Sequence, residues 1–232
     1  MTSKNLLFLA LALATGALSA CKSTKSCCSG DWTVLFDGSS TAAFRGYKTD
    51  AFPPGWAVEG DVLHVLPAKG ADLMTREKFQ DFELTFEWKT SVRGNSGVIY
   101  KVVETKGPAW HTGFEYQILD DAAYFDGKNT VNSTASLYDL IAPRADKQLK
   151  PAGQWNSGKI VVQGARCEHW LNGRKVLEFV QGSPELQALI ANSKFGKLKD
   201  PEVPFGSVKE GHICFQAHGQ EVWFRNIKIR RL

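Results

Sequence analysis

The chain has little that would suit a nucleic acid, a nucleotide or a structural metal. Its 28 basic and 24 acidic residues leave a formal charge of only +4 over 232 residues. A nucleic-acid binder concentrates basic side chains in a patch. Here they are scattered, and the one local group, Arg225, Lys228, Arg230 and Arg231, alternates with apolar residues like one face of a strand. No Gly-x-Gly-x-x-Gly or Walker pattern supplies a phosphate loop, and no His-Glu-x-x-His supplies a helical zinc site. A Gly-x-Ser-x-Gly nucleophile elbow is also missing. The five cysteines lack zinc-site spacing. No internal repeat, second domain boundary or βαβ alternation is visible, which leaves a parallel α/β architecture without support.

What is present begins with an address. Residues 6–20 are nearly all Leu, Ala or Phe and follow Lys4. A basic start, a short apolar stretch and small residues make a secretory signal, and the run is shorter than the ~20 residues a bilayer needs. Leu18-Ser19-Ala20-Cys21 resembles the lipobox of bacterial lipoproteins. The resemblance implies acylation of Cys21, the first mature residue, and a location in the cell envelope, periplasmic or at the surface. The expected organisation is a signal peptide over 1–20, a small, polar flexible tether over 21–30, and one domain over 31–232. Cys27 and Cys28 sit in the tether, whereas Cys167 and Cys214 sit in strand-like segments and are expected as two buried thiols.

Hydrophobic residues make up 43% of the chain, enough for a real core. From Trp32 onward short apolar runs alternate with turn residues, the pattern of a sandwich or barrel. In Asp81–Lys89, Phe82, Leu84, Phe86 and Trp88 point one way, and Glu83, Thr85, Glu87 and Lys89 the other. That is period two, a half-buried antiparallel strand. Asn172-Gly173 between two apolar runs signals a hairpin. One helix is expected near 184–193, with Ser183 as cap, Pro184 in the first turn, and Leu186, Leu189 and Ile190 as its apolar stripe.

Several strands carry polar residues among apolar ones. Glu115 and Gln117 share a parity, as do Gln216 and His218; Lys101 follows Tyr100, and Glu87 lies between Phe86 and Trp88. In one sheet these six would build a polar floor suited to a sugar or to catalysis; the alternative is an ordinary solvated outer face. Asp120 at a strand end would line the rim. His111 is either a rim residue or a ligand contact, and Trp155 either stacks on a sugar or packs in the core. His64 reads as a satisfied strand histidine, and His169, near a hairpin, as an exposed one.

Taken in order, Trp32–Gly38, Asp81–Leu84, Asn95-Ser96-Gly97-Val98, Glu115–Asp120, Pro151–Asn156, Leu171-Asn172-Gly173 and His218-Gly219 through Phe224–Ile227 resemble the 3-keto-disaccharide hydrolase domain family over about residues 31–232. The resemblance implies an all-β, two-sheet antiparallel jelly-roll sandwich of the concanavalin-like kind with a concave face. It also implies an enzyme acting on glycosides whose C3 hydroxyl is oxidised to a ketone. That ketone acidifies the proton on C2; a base removes it, an enolate forms, the C1 group leaves, and water adds to the alkene. Such a site needs a base and an oxyanion stabiliser. Glu115 or His218 is then the candidate base, and Lys101, Gln117 or a divalent metal ion the candidate stabiliser of the enolate. Lys101 stands where the family commonly has Arg, which keeps the charge without the planar fork. Substrate contacts are assigned to Glu87, Asn95, His111, Asp120, Trp155 and Gln216. The implied partners are a carbohydrate and, through Cys21, a membrane, with no nucleic acid. Two alternatives stay open: a non-catalytic carbohydrate-binding lipoprotein, and a conventional glycosidase using two of Glu87, Glu115 and Asp120.

Overall fold

The computed structural model describes Met1 and residues 30–67, 70–199 and 201–232. Cys21, the leader and the tether cysteines lie outside the described residues. Two antiparallel sheets pack face to face. The larger runs β11 (Arg174–Val180), β10 (Arg166–Leu171), β9 (Asn156–Gln163), β6 (Phe82–Thr90), β13 (Val222–Arg231), β4 (Val62–Val65) and β3 (Trp56–Glu59), with β1 (Thr33–Phe36) also on β13. The smaller runs β2 (Phe44–Gly46), β5 (Leu73–Thr75), β12 (His212–Phe215), β7 (Asn95–Val102) and β8 (Phe114–Leu119). Of the sandwich and barrel that the alternating pattern allows, this is the sandwich, and it is the jelly roll that the family resemblance implies.

β6 keeps its period: buried residues alternate with half-buried ones along all nine positions. Its inward side chains meet those of the smaller sheet edge-on, with the Phe86 ring 5.5 Å from Tyr116 and 6.3 Å from Phe215. Gly158 sits opposite Phe86 on β9, and a Cβ there would come within 2.4 Å of the ring. Asn172 and Gly173 both adopt positive φ at the tip of the β10–β11 hairpin, as the turn chemistry requires.

Helix α1 (Pro184–Asn192) forms where expected, and Ser183 Oγ accepts the Leu186 N–H at 3.2 Å. Its stripe is narrower than predicted. Leu186 and Ile190, one turn apart, are buried, while Leu189 remains 42% exposed.

β7, β8 and β12 are buried at every position. A second apolar cluster explains this. Met74, Ile99, Val102, Ala109 and Cys214 lie apart from the central core, with Tyr47 and Trp110 packed over them. Trp110 belongs to a 3₁₀ turn, Ala109–His111, laid on the outer face of the smaller sheet. Cys167 and Cys214 are free, buried thiols; burial pushes the Cys167 thiol up to about 12.

Two histidines contrast. His64 is satisfied, Nδ1 lying 2.9 Å from Glu59 Oε1 and Nε2 3.2 Å from Glu221 Oε1. His169 corrects the expectation of an exposed ring: it is fully buried, with Nε2 3.0 Å from the Tyr100 hydroxyl and Nδ1 3.2 Å from the Ala135 carbonyl. Burial holds its pKa down at about 4, so it stays neutral. The cause is parity: His169 shares the inner face of β10 with buried Cys167 and Leu171, and the segment after β8 brings the Ala135 carbonyl to its ring.

Candidate active site

Register across the smaller sheet lays out its outer face. One row runs Arg45, Met74, Cys214, Ile99 and Glu115 on adjacent strands. Gly97 pairs with Gln117 beside it, and the Gln216 N–H donates to the Gly97 carbonyl at 2.9 Å. The face is therefore apolar where the 3₁₀ turn covers it and polar beyond. Asp72, two residues before Met74 and of the same parity, extends the polar end; its Oδ1 accepts the Ala217 N–H at 2.9 Å.

Glu115 is the centre of this end. Its side chain lies over Gly97, where a Cβ would come within 2.3 Å of Oε1. Only glycine leaves that space. Glu115 is 6% exposed, and its carboxyl makes no hydrogen bond or ion pair among the described residues. Burial drives its pKa up to about 7; Lys194 favours the charged form, and Asp72 opposes it. Asp72 is itself raised by burial, against the Ala217 hydrogen bond and the nearby His218.

Loops complete the surroundings. Lys194 is exposed overall, yet its ammonium sits 4.1 Å from the Tyr138 ring centre and 4.7 Å from that of Trp110. Burial among these rings lowers its pKa, while Glu115, Asp139 and Asp126 favour its charge. Tyr138 is pushed up to about 12 by burial and then by Glu115, so its hydroxyl stays protonated and can donate. The His111 ring lies 4.2 Å from that of Trp110, its pKa lowered by burial and by Lys194 and Lys48. Neither Asp72, Tyr138 nor Lys194 was singled out from the sequence. Asp72 precedes a strand too short to show a period, and the other two lie in loops.

The remaining sequence candidates divide. Gln117 shares the strand and parity of Glu115, but its Oε1 accepts the Ile118 N–H at 3.0 Å. Asn95 is buried at the start of β7 on the parity of Gly97, and Gln216 is half-buried. His218 is exposed, with Nδ1 2.9 Å from Gln220 Oε1. Asp120 serves a turn: its carboxylate accepts the N–H groups of Arg93 at 2.9 Å and Ala122 at 3.3 Å.

Three candidates do not join Glu115. Glu87 belongs to β6 of the other sheet, and its outward parity points away from the smaller sheet altogether. There it accepts from Arg225 Nε at 2.7 Å and lines a separate trough of about 560 Å³. Trp155 lies on that same far face, its ring 4.1 Å from the Arg225 guanidinium and 5.2 Å from Lys89 Nζ. Lys101 departs for a different reason. Between the paired positions Ile99 and Val102, β7 has two residues, Tyr100 and Lys101, where β12 has only Ile213. The extra residue bulges, Lys101 takes φ 59°, and its ammonium donates to the Lys209 carbonyl at 2.9 Å. The bulge breaks the alternation on which its placement rested. Of the three acids weighed for a conventional glycosidase, Glu87 lies on the other sheet and the Asp120 carboxylate is taken up by its turn, which leaves Glu115.

Among the described residues no three of His, Cys, Asp and Glu are grouped to hold a metal ion. That donor set does not fit a divalent cation.

The 3-keto-alpha-glucoside-1,2-lyase-like domain matches residues 31–230. A 3-keto-disaccharide hydrolase from Bacteroides thetaiotaomicron is 34% identical over 87% of this chain and 78% of its own length. The chain belongs to the 3-keto-alpha-glucoside-1,2-lyase-like family. A solved structure from Parabacteroides distasonis, provisionally named a glycosyl hydrolase, superposes with a TM-score of 0.78 at 32% identity, covering 88% of this chain and 94% of that one. A second from the same organism, with the same provisional name, gives 0.68 at 27%, over 87% and 100% of the two chains. This family member is an enzyme of carbohydrate cleavage.

Proposed function

We propose that the enzyme cleaves 3-keto-glycosides, with Glu115 as the base. One observation carries the reading: a buried carboxyl with no hydrogen-bond partner, its pKa moved to about 7, seated on a rigid strand above a glycine. A general base works best when it ionises near the working pH. The Glu115 carboxylate takes the proton from C2 of the sugar. The electron pair left on C2 is delocalised onto the C3 oxygen. It then re-forms as the C1–C2 double bond while the C1–O bond breaks. The alkoxide leaving group takes up a proton and departs as an alcohol. Water then adds across C1 and C2, giving the free 3-keto sugar and a net hydrolysis.

Lys194 and the protonated Tyr138 support this role for Glu115, because both are electrostatically coupled to it. A cation and a hydroxyl donor beside the base can stabilise the enolate oxygen or supply the leaving-group proton. The Bacteroides thetaiotaomicron relative, named a 3-keto-disaccharide hydrolase, supports the same substrate class. Residues 1–20 are proposed to export the chain and Cys21 to anchor it at a membrane face.

The deciding experiment compares one glucoside with its 3-keto counterpart and follows sugar release. Turnover of the keto form alone is the expected result. Equal turnover of both forms would replace the elimination chemistry with a two-carboxylate mechanism, and binding without turnover would make the domain a lectin. The pH profile is a second check. The base must be ionised, and its ionised fraction grows through about pH 7, so kcat/KM for the keto substrate should climb with pH across that region. A profile that is flat from pH 5.5 to 8.5 (roughly three decades of proton activity) would speak against Glu115.

A further inference from the structure

We propose that a cavity at the bulge of β7, apart from the Glu115 site and independent of its reading, binds a small oxyanion, a carboxylate or phosphate group. The cavity holds about 460 Å³. Its polar side chains are Lys101, Lys209, Gln80, Gln181, Gln187 and Ser207, and no acidic residue lines it.

Lys101 is the decisive group. It is only 2% exposed, and its single hydrogen bond among the described residues goes to the Lys209 carbonyl. An ammonium has three hydrogens to give, so two remain. Among the described residues no carboxylate pairs with it. Asp81, which acts on it from a distance, is held by the Gly164 N–H at 2.7 Å. A buried charge without a counter-charge is costly, and an anion entering from solvent would relieve that cost.

The rest of the lining suits the same guest. Gln181 gives both amide hydrogens to the carbonyls of Gly206 and Val208, at 2.7 and 2.9 Å, so it orders the wall and leaves the donors for a guest to its neighbours. Gln80 and Gln187 are exposed and keep their amide donors for a ligand, and Lys209 adds a second, exposed ammonium. Gly164 and Gly182 leave open space where a side chain would stand, which lets a ligand approach the backbone.

The test uses the full chain and calorimetric titration at fixed ionic strength with inorganic phosphate, glucuronate and, as an uncharged control, glucose. Saturable binding of one anion is expected, and the tighter of the two names its source. Lys101→Gln should weaken that binding by about 10-fold or more, and Lys209→Gln by about 3-fold. Absence of saturable binding by either anion overturns the proposal. So does binding that both variants leave unchanged. Should Lys101→Gln fail to fold, the exposed Lys209→Gln decides alone.

Discussion

Glu115→Gln is expected to lower turnover of a 3-keto-glycoside by about 10²–10⁴-fold, the usual cost of losing a general base. The two side chains have nearly the same shape. The carboxyl lies over Gly97 without a hydrogen-bond partner, so an amide can occupy the same volume. Sugar binding should therefore survive, and the loss should fall on kcat rather than KM. The amide also lacks the ionisation near pH 7, so the remaining activity should no longer rise through that range. Turnover within a few-fold of wild type would move the base to another residue. Exposed His218 is the next candidate, and His218→Ala under the same assay would then show the larger loss.

Phe86→Ala is expected to destabilise the fold by roughly 3–5 kcal/mol, the range for deleting a large buried aromatic. Phe86 is 1% exposed and touches both Tyr116 and Phe215 across the sandwich. Its ring also covers Gly158, which has no side chain to swing into the space. The hole would stay open, and residual cavity volume is what makes such substitutions costly. Equilibrium denaturation in urea measures the effect. A loss under ~1 kcal/mol would mean that neighbouring side chains collapse into the gap.

The sandwich was legible because β6 obeys a single rule along nine residues, and each side chain there answers only to the face it occupies. The hairpin at Asn172-Gly173 and the cap at Ser183 were legible for a similar reason: local chemistry decides them. The site was harder. Parity places residues on a face of a strand, but it does not say which sheet the strand joins. Glu87 and Glu115 both stand among apolar neighbours, yet their strands lie in different sheets. Lys101 failed at the bulge, where one extra residue resets the alternation. Asp72, Tyr138 and Lys194 carried no pattern, since a short strand and two loops bring them near Glu115 only after the chain has folded.

That division of labour also bears on how such an enzyme can diversify. The carboxyl rests on a hydrogen-bonded strand above a glycine, whereas Lys194, Tyr138 and Trp110 are delivered by connecting segments. Connections accept insertions and replacements far more readily than the strands beneath them. A lineage could therefore alter the surroundings of the Glu115 carboxyl by rewriting the exposed positions within 104–108 and 194–198, whereas the buried stretch 132–137 has to stay with the strands it bonds. Libraries confined to those two exposed stretches would vary the surroundings of the site without disturbing its floor.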